Sequence, residues 1–369
     1  MKTLPTSLRI LMSLDAVGGV WRYAVDLAEG LVAHGIESVF VGFGPRPHET
    51  QVAEAEKIGA KLLWFDLPLD WMAEDARQLS SISAILADLV VCEKIDLLQL
   101  NLPSQAANLD LNVPIVVVSH SCVVTWFHGV RESAVPDDWS WQYDLNQRGY
   151  ERADLVIAPS KSHATTTQAV YGLQRGIEVV HNATRVQPNP AIEKQNYIFS
   201  AGRWWDEGKN AALLEGAAPD LSWPLVTVGN TSGPSGQSFQ FTNPRHKSHL
   251  PHSDAMRLMA GAGVVASPSI YEPFGLVALE AARQGAALLL SDIPTYRELW
   301  NDAALFFDPR DVATFVAGAN RLAKDGDLRE TLAAKAFERS RQFSLARQAE
   351  RMAELYMQTL ENSSRIAAE

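Results

Sequence analysis

Ser267-Pro-Ser-Ile-Tyr-Glu-Pro-Phe-Gly-Leu-Val-Ala-Leu-Glu-Ala-Ala-Arg-Gln-Gly285 is the stretch that decides the fold. It follows an apolar strand-like run, Gly263–Ala266. A loop carries Glu272, Pro273 and Gly275, and the pattern predicts a helix from Leu276, stopped by Gly285 as a C-cap. Strand, glycine-bearing loop and helix form one α/β unit. The N–H groups of Phe274, Gly275 and Leu276 fall at the helix entrance. A helix start presents unpaired donors and partial positive charge, which suits an anion. Glu272 and Glu280 stand eight positions apart on either side of it. Two carboxylates around an anion site suit a ligand with both phosphates and vicinal hydroxyls, and a nucleotide sugar is such a ligand.

Working outward, the same alternation repeats along the chain. Strands are expected at Arg9–Leu14, Glu37–Phe43, Lys61–Phe65, Asp96–Leu100, Ile115–Ser119 and Asp154–Ala158. Helical stretches lie between them, including Val20–His34 and Trp71–Glu93. After Arg185–Gln195, polar and holding Pro188 and Pro190, the alternation restarts. The second set of strands falls at Tyr197–Ala201, Leu225–Gly229, Gly263–Ala266, Ala286–Leu290 and Ala304–Phe307. The expected fold is therefore α/β, with two doubly wound, mostly parallel sheets facing across a cleft. The domains are placed at 1–186 and 196–344, with a linker over 187–195. A terminal amphipathic helix within 345–369 is expected to cross back to the first domain. Thr231–Ser253, rich in Gly, Pro and polar residues, is expected to be a mobile loop at the cleft rim.

The chain has 369 residues, with 32 Lys and Arg against 43 Asp and Glu, a net charge of −11. That balance excludes a basic stripe for nucleic acid and disfavours docking on anionic lipid. No apolar run is long enough to span a bilayer, and Met1-Lys-Thr-Leu-Pro-Thr has no signal-peptide apolar region. Cys92 and Cys122 sit among apolar residues, which predicts buried free thiols and a cytoplasmic protein.

With these pieces assembled, the chain resembles the retaining nucleotide-sugar glycosyltransferases of family 4, which have the GT-B fold. The opening stretch resembles that family's E-x7-E phrase. Gly18-Gly19-Val20 resembles its amino-terminal glycine loop. Ala153–Ser160, Val180-His-Asn182 and Ala201-Gly-Arg203 through Lys209-Asn210 resemble later landmarks. The resemblance implies a metal-independent hexosyltransferase that uses no cofactor and treats a UDP-, GDP- or ADP-sugar as substrate. It implies that Glu272 binds hydroxyls of the transferred sugar and Glu280 those of the ribose. Phe274, Gly275 and Leu276 would hold sugar and phosphate through their backbone. Arg203 and Lys209 would stabilise the diphosphate, and Gly18 and Gly19 would admit it closely. His120 would face the donor sugar. Arg203, Lys209, Glu272 and His120 are thus the catalytic candidates.

Ordinary structural roles stand beside these. A bare pair of glutamates eight apart is usually a helix-start carboxylate and a solvent-facing one. Arg203 and Lys209 are separated by six positions where the family more often shows five, which leaves open which group reaches the phosphate. His163 and His181 read as structural. Trp126, His128, Trp139 and Trp141 lie in one polar stretch and could stack on an acceptor carbohydrate or pack a lid. Two other functions fit the same donor site: a non-catalytic nucleotide-sugar sensor, and a sugar phosphorylase or synthase. Nothing in Val228-Gly229-Asn230, expected to border the base, separates uracil from guanine or adenine.

Overall fold

The structure, a computed structural model, describes residues 8–366. The amino-terminal stretch read above for a leader, and the last three residues of the 345–369 segment, lie outside the described residues. The chain packs into two compact units, residues 1–183 with 345–369, and residues 184–344.

In the first unit β1 (Leu8–Leu14), β2 (Ile36–Gly42), β3 (Lys61–Trp64), β4 (Leu97–Leu100), β5 (Ile115–Val118), β6 (Leu155–Ala158) and β7 (Glu178–Val179) form one parallel sheet. Their order is β3-β2-β1-β4-β5-β6-β7. The sheet is covered by α1 (Gly19–Leu31), α2 (Glu49–Lys57), α3 (Ile82–Cys92), α4 (Val123–Trp126), α5 (Ser140–Arg152) and α6 (Lys161–Tyr171). Successive residues of one strand feed opposite cores. Leu11, Val39 and Val117 enter one cluster, whereas Ile10, Met12, Phe40 and Val116 enter the other. Helices on both faces make the strands read as unbroken apolar runs.

In the second unit β8 (Gln195–Ala201), β9 (Leu225–Val228), β10 (Arg245–Lys247), β11 (Ala262–Ser267), β12 (Ala287–Ser291) and β13 (Leu305–Phe307) form a second parallel sheet. Its order is β10-β9-β8-β11-β12-β13. The helices are α7 (Ala211–Ala217), α8 (His252–Gly261), α9 (Leu276–Arg283), α10 (Pro294–Trp300), α11 (Val312–Lys324) and α12 (Gly326–Ser340). The final helix, α13 (Leu345–Ile366), returns to the first unit and packs along α1. Its Ala349, Met352, Leu355 and Tyr356 are buried in the cluster that holds Ile10 and Phe40. In each sheet the order reverses beside the first strand, between β1 and β4 and between β8 and β11. That reversal opens a crevice at the strands' carboxyl ends, where doubly wound sheets bind ligands.

The structure corrects several expectations. Trp71–Glu93 is not one helix: short helical turns at Asp70–Met72 and Ala76–Leu79 precede α3. Asp75 breaks it by accepting from the Arg77 N–H at 2.8 Å, and buried Asp70 is held by the Ser104 hydroxyl at 2.6 Å. Gln195, assigned to the linker, already belongs to β8. Thr231–Ser253 is not bare loop. It contains β10, and the Glu215 carboxylate ties it down by accepting from the N–H groups of Thr242 at 3.0 Å and Asn243 at 3.2 Å. Cys92 is exposed at the end of α3, while Cys122 is buried. Among the described residues no helix is long and apolar enough to cross a membrane.

Candidate active site

The crevice of the second sheet is built by two loops. One leaves β8 and carries Arg203 and Lys209; the other leaves β11 and carries Glu272. They meet in an ion pair, Lys209 Nζ to Glu272 Oε2 at 2.6 Å, with both side chains largely buried. The Ser269 hydroxyl donates to the same Glu272 oxygen at 3.3 Å. The two loops are also joined by their backbones, since the Ile270 N–H donates to Gly208 O at 2.9 Å. Between Arg203 and Lys209 the chain turns one side chain inward. Trp204 is buried and its indole N–H donates to Val228 O at 2.9 Å. Asp206 then caps a short turn, Glu207–Lys209, by accepting from the Gly208 N–H at 2.9 Å. Asn210 follows in the left-handed region, φ 60°, and its amide donates to Pro268 O at 3.1 Å and Pro309 O at 2.7 Å. Lys209 is therefore aimed at Glu272 by fixed backbone on both sides. Arg203 remains partly exposed, 3.2 Å from Asp206 and with its guanidinium 5.5 Å from the Trp205 ring centroid.

The Glu272 loop ends at Gly275, whose φ of 90° is left-handed and whose hydrogen faces Tyr296. A Cβ there would lie 2.6 Å from Tyr296 Cε1. Tyr296 is buried, its hydroxyl 2.5 Å from Ser267 Oγ. Burial, with the Glu272 carboxylate nearby, pushes that phenol far above its usual range. The first N–H groups of α9 have no acceptor within the helix. Glu280 sits on the second turn, almost wholly buried, with Oε1 3.2 Å from His252 Nε2 at the start of α8. Of the predicted residues Lys209 and Glu272 meet directly, Arg203 lies on the loop that carries Lys209, Phe274 is buried in the core against Phe343, and Gly275, Leu276 and Glu280 lie at the entrance and on the second turn of α9 in the same unit. His252 and Tyr296 were missed, because nothing in their local sequence ties them to the two loops, and Asn210 was read only as part of the Lys209-Asn210 landmark, without its bonds to Pro268 O and Pro309 O.

In the first unit Gly18 and Gly19 open α1, with Gly18 as its extended N-cap residue. Asp15 shapes the turn by accepting from the N–H groups of Val17 at 2.9 Å and Gly18 at 3.2 Å. His120 belongs to the same unit and stands just beyond β5. Its Nε2 is 3.0 Å from Asn101 Oδ1, and its ring meets Tyr23 of α1 edge to face, centroids 4.3 Å apart. Burial, with His163 nearby, pushes its pKa down to about 3, so the ring is neutral near pH 7.

The acceptor candidates divide. Trp126, Phe127 and Trp139 form a chain of rings, with centroids 5.3 and 6.2 Å apart, beside Arg131. His128 lines a cavity of about 520 Å³ with Tyr143, Asp144 and Glu132. Trp141 turns instead against the hydrophobic core of the sheet. Among the described residues no group of three or more His, Cys, Asp and Glu side chains is placed to hold a metal ion.

Residues 17–187 match the sequence pattern of Glycosyltransferase Family 4, and residues 182–339 match that of Glycosyl transferases group 1. Together the two patterns cover residues 17–339, and over that span the chain is similar to the family-4 glycosyltransferases. Escherichia coli O-antigen chain mannosyltransferase B is 27% identical over 203 residues, which cover 55% of this chain and 44% of that protein. This chain thus spans less than half the length of that relative. The glycosyltransferase fold is that of sucrose-phosphate synthase from Thermosynechococcus elongatus, with a TM-score of 0.78 at 18% identity, covering 96% of this chain and all of the other. Anabaena HepE, solved with UDP and glucose, superposes with a TM-score of 0.75 at 16% identity, covering 95% of this chain and 100% of that one. These structures share the GT-B arrangement of two doubly wound α/β units.

Proposed function

We propose that the protein is a retaining hexosyltransferase that moves a sugar from a nucleotide diphosphate sugar to a carbohydrate or other small acceptor, without a metal ion. The observation that carries this reading is the Lys209–Glu272 pair at 2.6 Å, set beside the entrance of α9 at the reversal point of the second sheet. The pair offers both signs that a sugar diphosphate needs. Glu272 accepts from sugar hydroxyls, and Lys209 with Arg203 meets the phosphates. Support comes from the family-4 pattern and from HepE, solved in complex with UDP and glucose.

In transfer, the bond from the anomeric carbon to the phosphate oxygen breaks as a bond to the acceptor oxygen forms on the same face. The acceptor proton passes to the leaving phosphate. Negative charge grows on the diphosphate, where the cations and the α9 N–H groups stabilise it. One well-placed donor contributes about 2.7–4 kcal/mol to such a barrier. Glu280, held by His252, binds the ribose. The test is release of nucleoside diphosphate from UDP-, GDP- and ADP-sugars across an acceptor panel, with product configuration read by NMR. Transfer with the donor's anomeric configuration supports the proposal; inversion, or tight donor binding with no turnover, overturns it.

A further inference from the structure

We infer that the cavity between α3, α5 and the turn after β4 binds a small aliphatic ammonium ion, with Asp70 and Gln105 taking its charged end.

The cavity offers about 80 Å³ of space. A single water needs roughly 10–15 Å³ of such space, so there is room for a molecule of several heavy atoms. Its polar end is made by Asp70, which opens the short turn Asp70–Met72, and by Ser104 and Gln105 of the turn Pro103–Ala106. The walls beyond are apolar, with Leu79, Ile82 of α3 and Leu145 of α5. Arg148, also on α5, stands exposed at the rim, where its guanidinium donates to Asn108 Oδ1 at 3.3 Å. All these residues belong to the first unit, so the cavity needs nothing from the second.

The polar end is rigid. Asp70 Oδ1 accepts from the Trp71 N–H at 2.7 Å, and Oδ2 accepts from the Ser104 hydroxyl at 2.6 Å. Gln142 of α5 pins the backbone there, its amide donating to Asp70 O at 2.5 Å. Gly149 lets α5 lie directly on the turn after β4, since an added Cβ would run into Pro103 O. Asp70 is 2% exposed and Gln105 5%. The two bonds to the Asp70 carboxylate leave about half of its lone-pair positions open. Gln105 Oε1 is buried and has no hydrogen-bond partner among the described residues. Both groups therefore call for a donor.

Charge selects the donor. Among the described residues no Lys, Arg or His bonds to Asp70, and burial pushes its carboxyl above the usual range. A buried carboxylate without a counter-charge is costly. A neutral hydroxyl leaves that cost in place. A bare metal ion asks for several oxygen ligands, and Leu79, Ile82 and Leu145 offer none. An alkylammonium meets both demands. Its N–H groups reach Asp70 and Gln105, and its short chain lies on the apolar walls. Arg148 at the rim repels a second positive charge, so the far end of the ligand is neutral or anionic.

Calorimetric titration of the full chain near neutral pH and at constant ionic strength tests this, with n-butylammonium chloride as the probe. The native protein should bind it, and should bind neither n-butanol nor sodium chloride. Asp70→Asn and Gln105→Met should each weaken binding by about tenfold or more, as loss of a hydrogen bond to a charged group does. If Asp70→Asn does not fold, Gln105→Met, which removes the oxygen and keeps the side chain's length, still decides. Doubly charged 1,4-diaminobutane should bind more weakly than butylammonium. No binding of butylammonium overturns the inference. Equal binding of n-butanol would mean an apolar hole only, equal binding of sodium a general cation site, and either overturns it. So does unchanged affinity in Gln105→Met, which would place the amine elsewhere on this acidic protein, and so does tighter binding of the diamine.

Discussion

At the scale of single residues, the site is an arrangement of charges whose neighbours were chosen by packing. Lys209 reaches Glu272 because Trp204 goes inward and Asn210 turns through a left-handed φ of 60°. Lys209→Met should lower kcat/KM by about 10²–10³-fold, since it removes one cation from the leaving diphosphate. Lys209→Arg should restore only part of that, because a planar fork does not fit the place of a point charge. Steady-state kinetics with the true donor reads both; full activity in Lys209→Met would contradict the assignment. A second prediction concerns pH. His163 is buried against the Ser119 hydroxyl at 2.9 Å, and burial pushes its pKa down to about 4, with Ser119 opposing. In the unfolded chain it returns to about 6.5. Between those values the unfolded state binds the extra proton. The stability is therefore complete above about pH 6.5 and lost as the pH falls toward 4. The unfolding free energy from urea denaturation should fall from pH 7 to pH 5 by on the order of 2 kcal/mol, and His163→Gln should flatten that slope. Equal slopes would mean that His163 is not buried neutral. The glutamates and basic pair were noticed in the sequence because Arg203, Lys209 and Glu272 sit in patterned loops and Glu280 in the helix that one of those loops enters. Asn101 was not singled out, yet Gln99 and Asn101 are polar at alternate positions of an apolar strand, a signal that both point to one buried face.

At the scale of elements, the loop from β11 into α9 is held in shape by Gly275. Its φ of 90° and the 2.6 Å that would separate a Cβ from Tyr296 leave no room for a side chain. Gly275→Ala should destabilise the protein by about 1–3 kcal/mol and weaken donor binding, because α9 and its N–H groups must shift. Melting curves and nucleotide titration test this; an unchanged Tm together with unchanged affinity would contradict it. Helix and strand positions were largely legible, because parallel strands covered on both faces are unbroken apolar runs. The legible pattern failed where side chains cut the backbone short, as Asp75 does within 71–93, and where an edge strand is polar. The β10 residues Arg245–Lys247 carry no apolar alternation and are paired only through β9.

At the scale of the molecule, the return of α13 to the first unit joins the chain's two ends in one core. Gly30 of α1 lies against Ala349, where an added Cβ would be 2.8 Å from the alanine Cβ. Gly30→Leu should separate the helices, destabilising the first unit by about 1–3 kcal/mol in urea. Nucleotide binding should be unchanged, since Arg203, Lys209, Glu272 and Glu280 all belong to the second unit. Loss of nucleotide affinity in that variant would place part of the nucleotide site in the first unit. The two-unit α/β plan and the returning helix were legible from alternation and from one amphipathic stretch. Which aromatic residues meet was not, because Trp141 and Trp139 differ by two positions on a helical turn and so face core and solvent respectively. The central claim, that the crevice beside α9 holds a nucleotide diphosphate sugar, is tested most directly by thermal shift with UDP, GDP, ADP and their sugars. At 100 times Kd the matching ligand should stabilise the native protein by about 2.7 kcal/mol. Glu280→Ala and Lys209→Met should lose most of that gain while melting cooperatively without ligand. No shift with any nucleotide, or a full shift retained in both variants, would contradict the account.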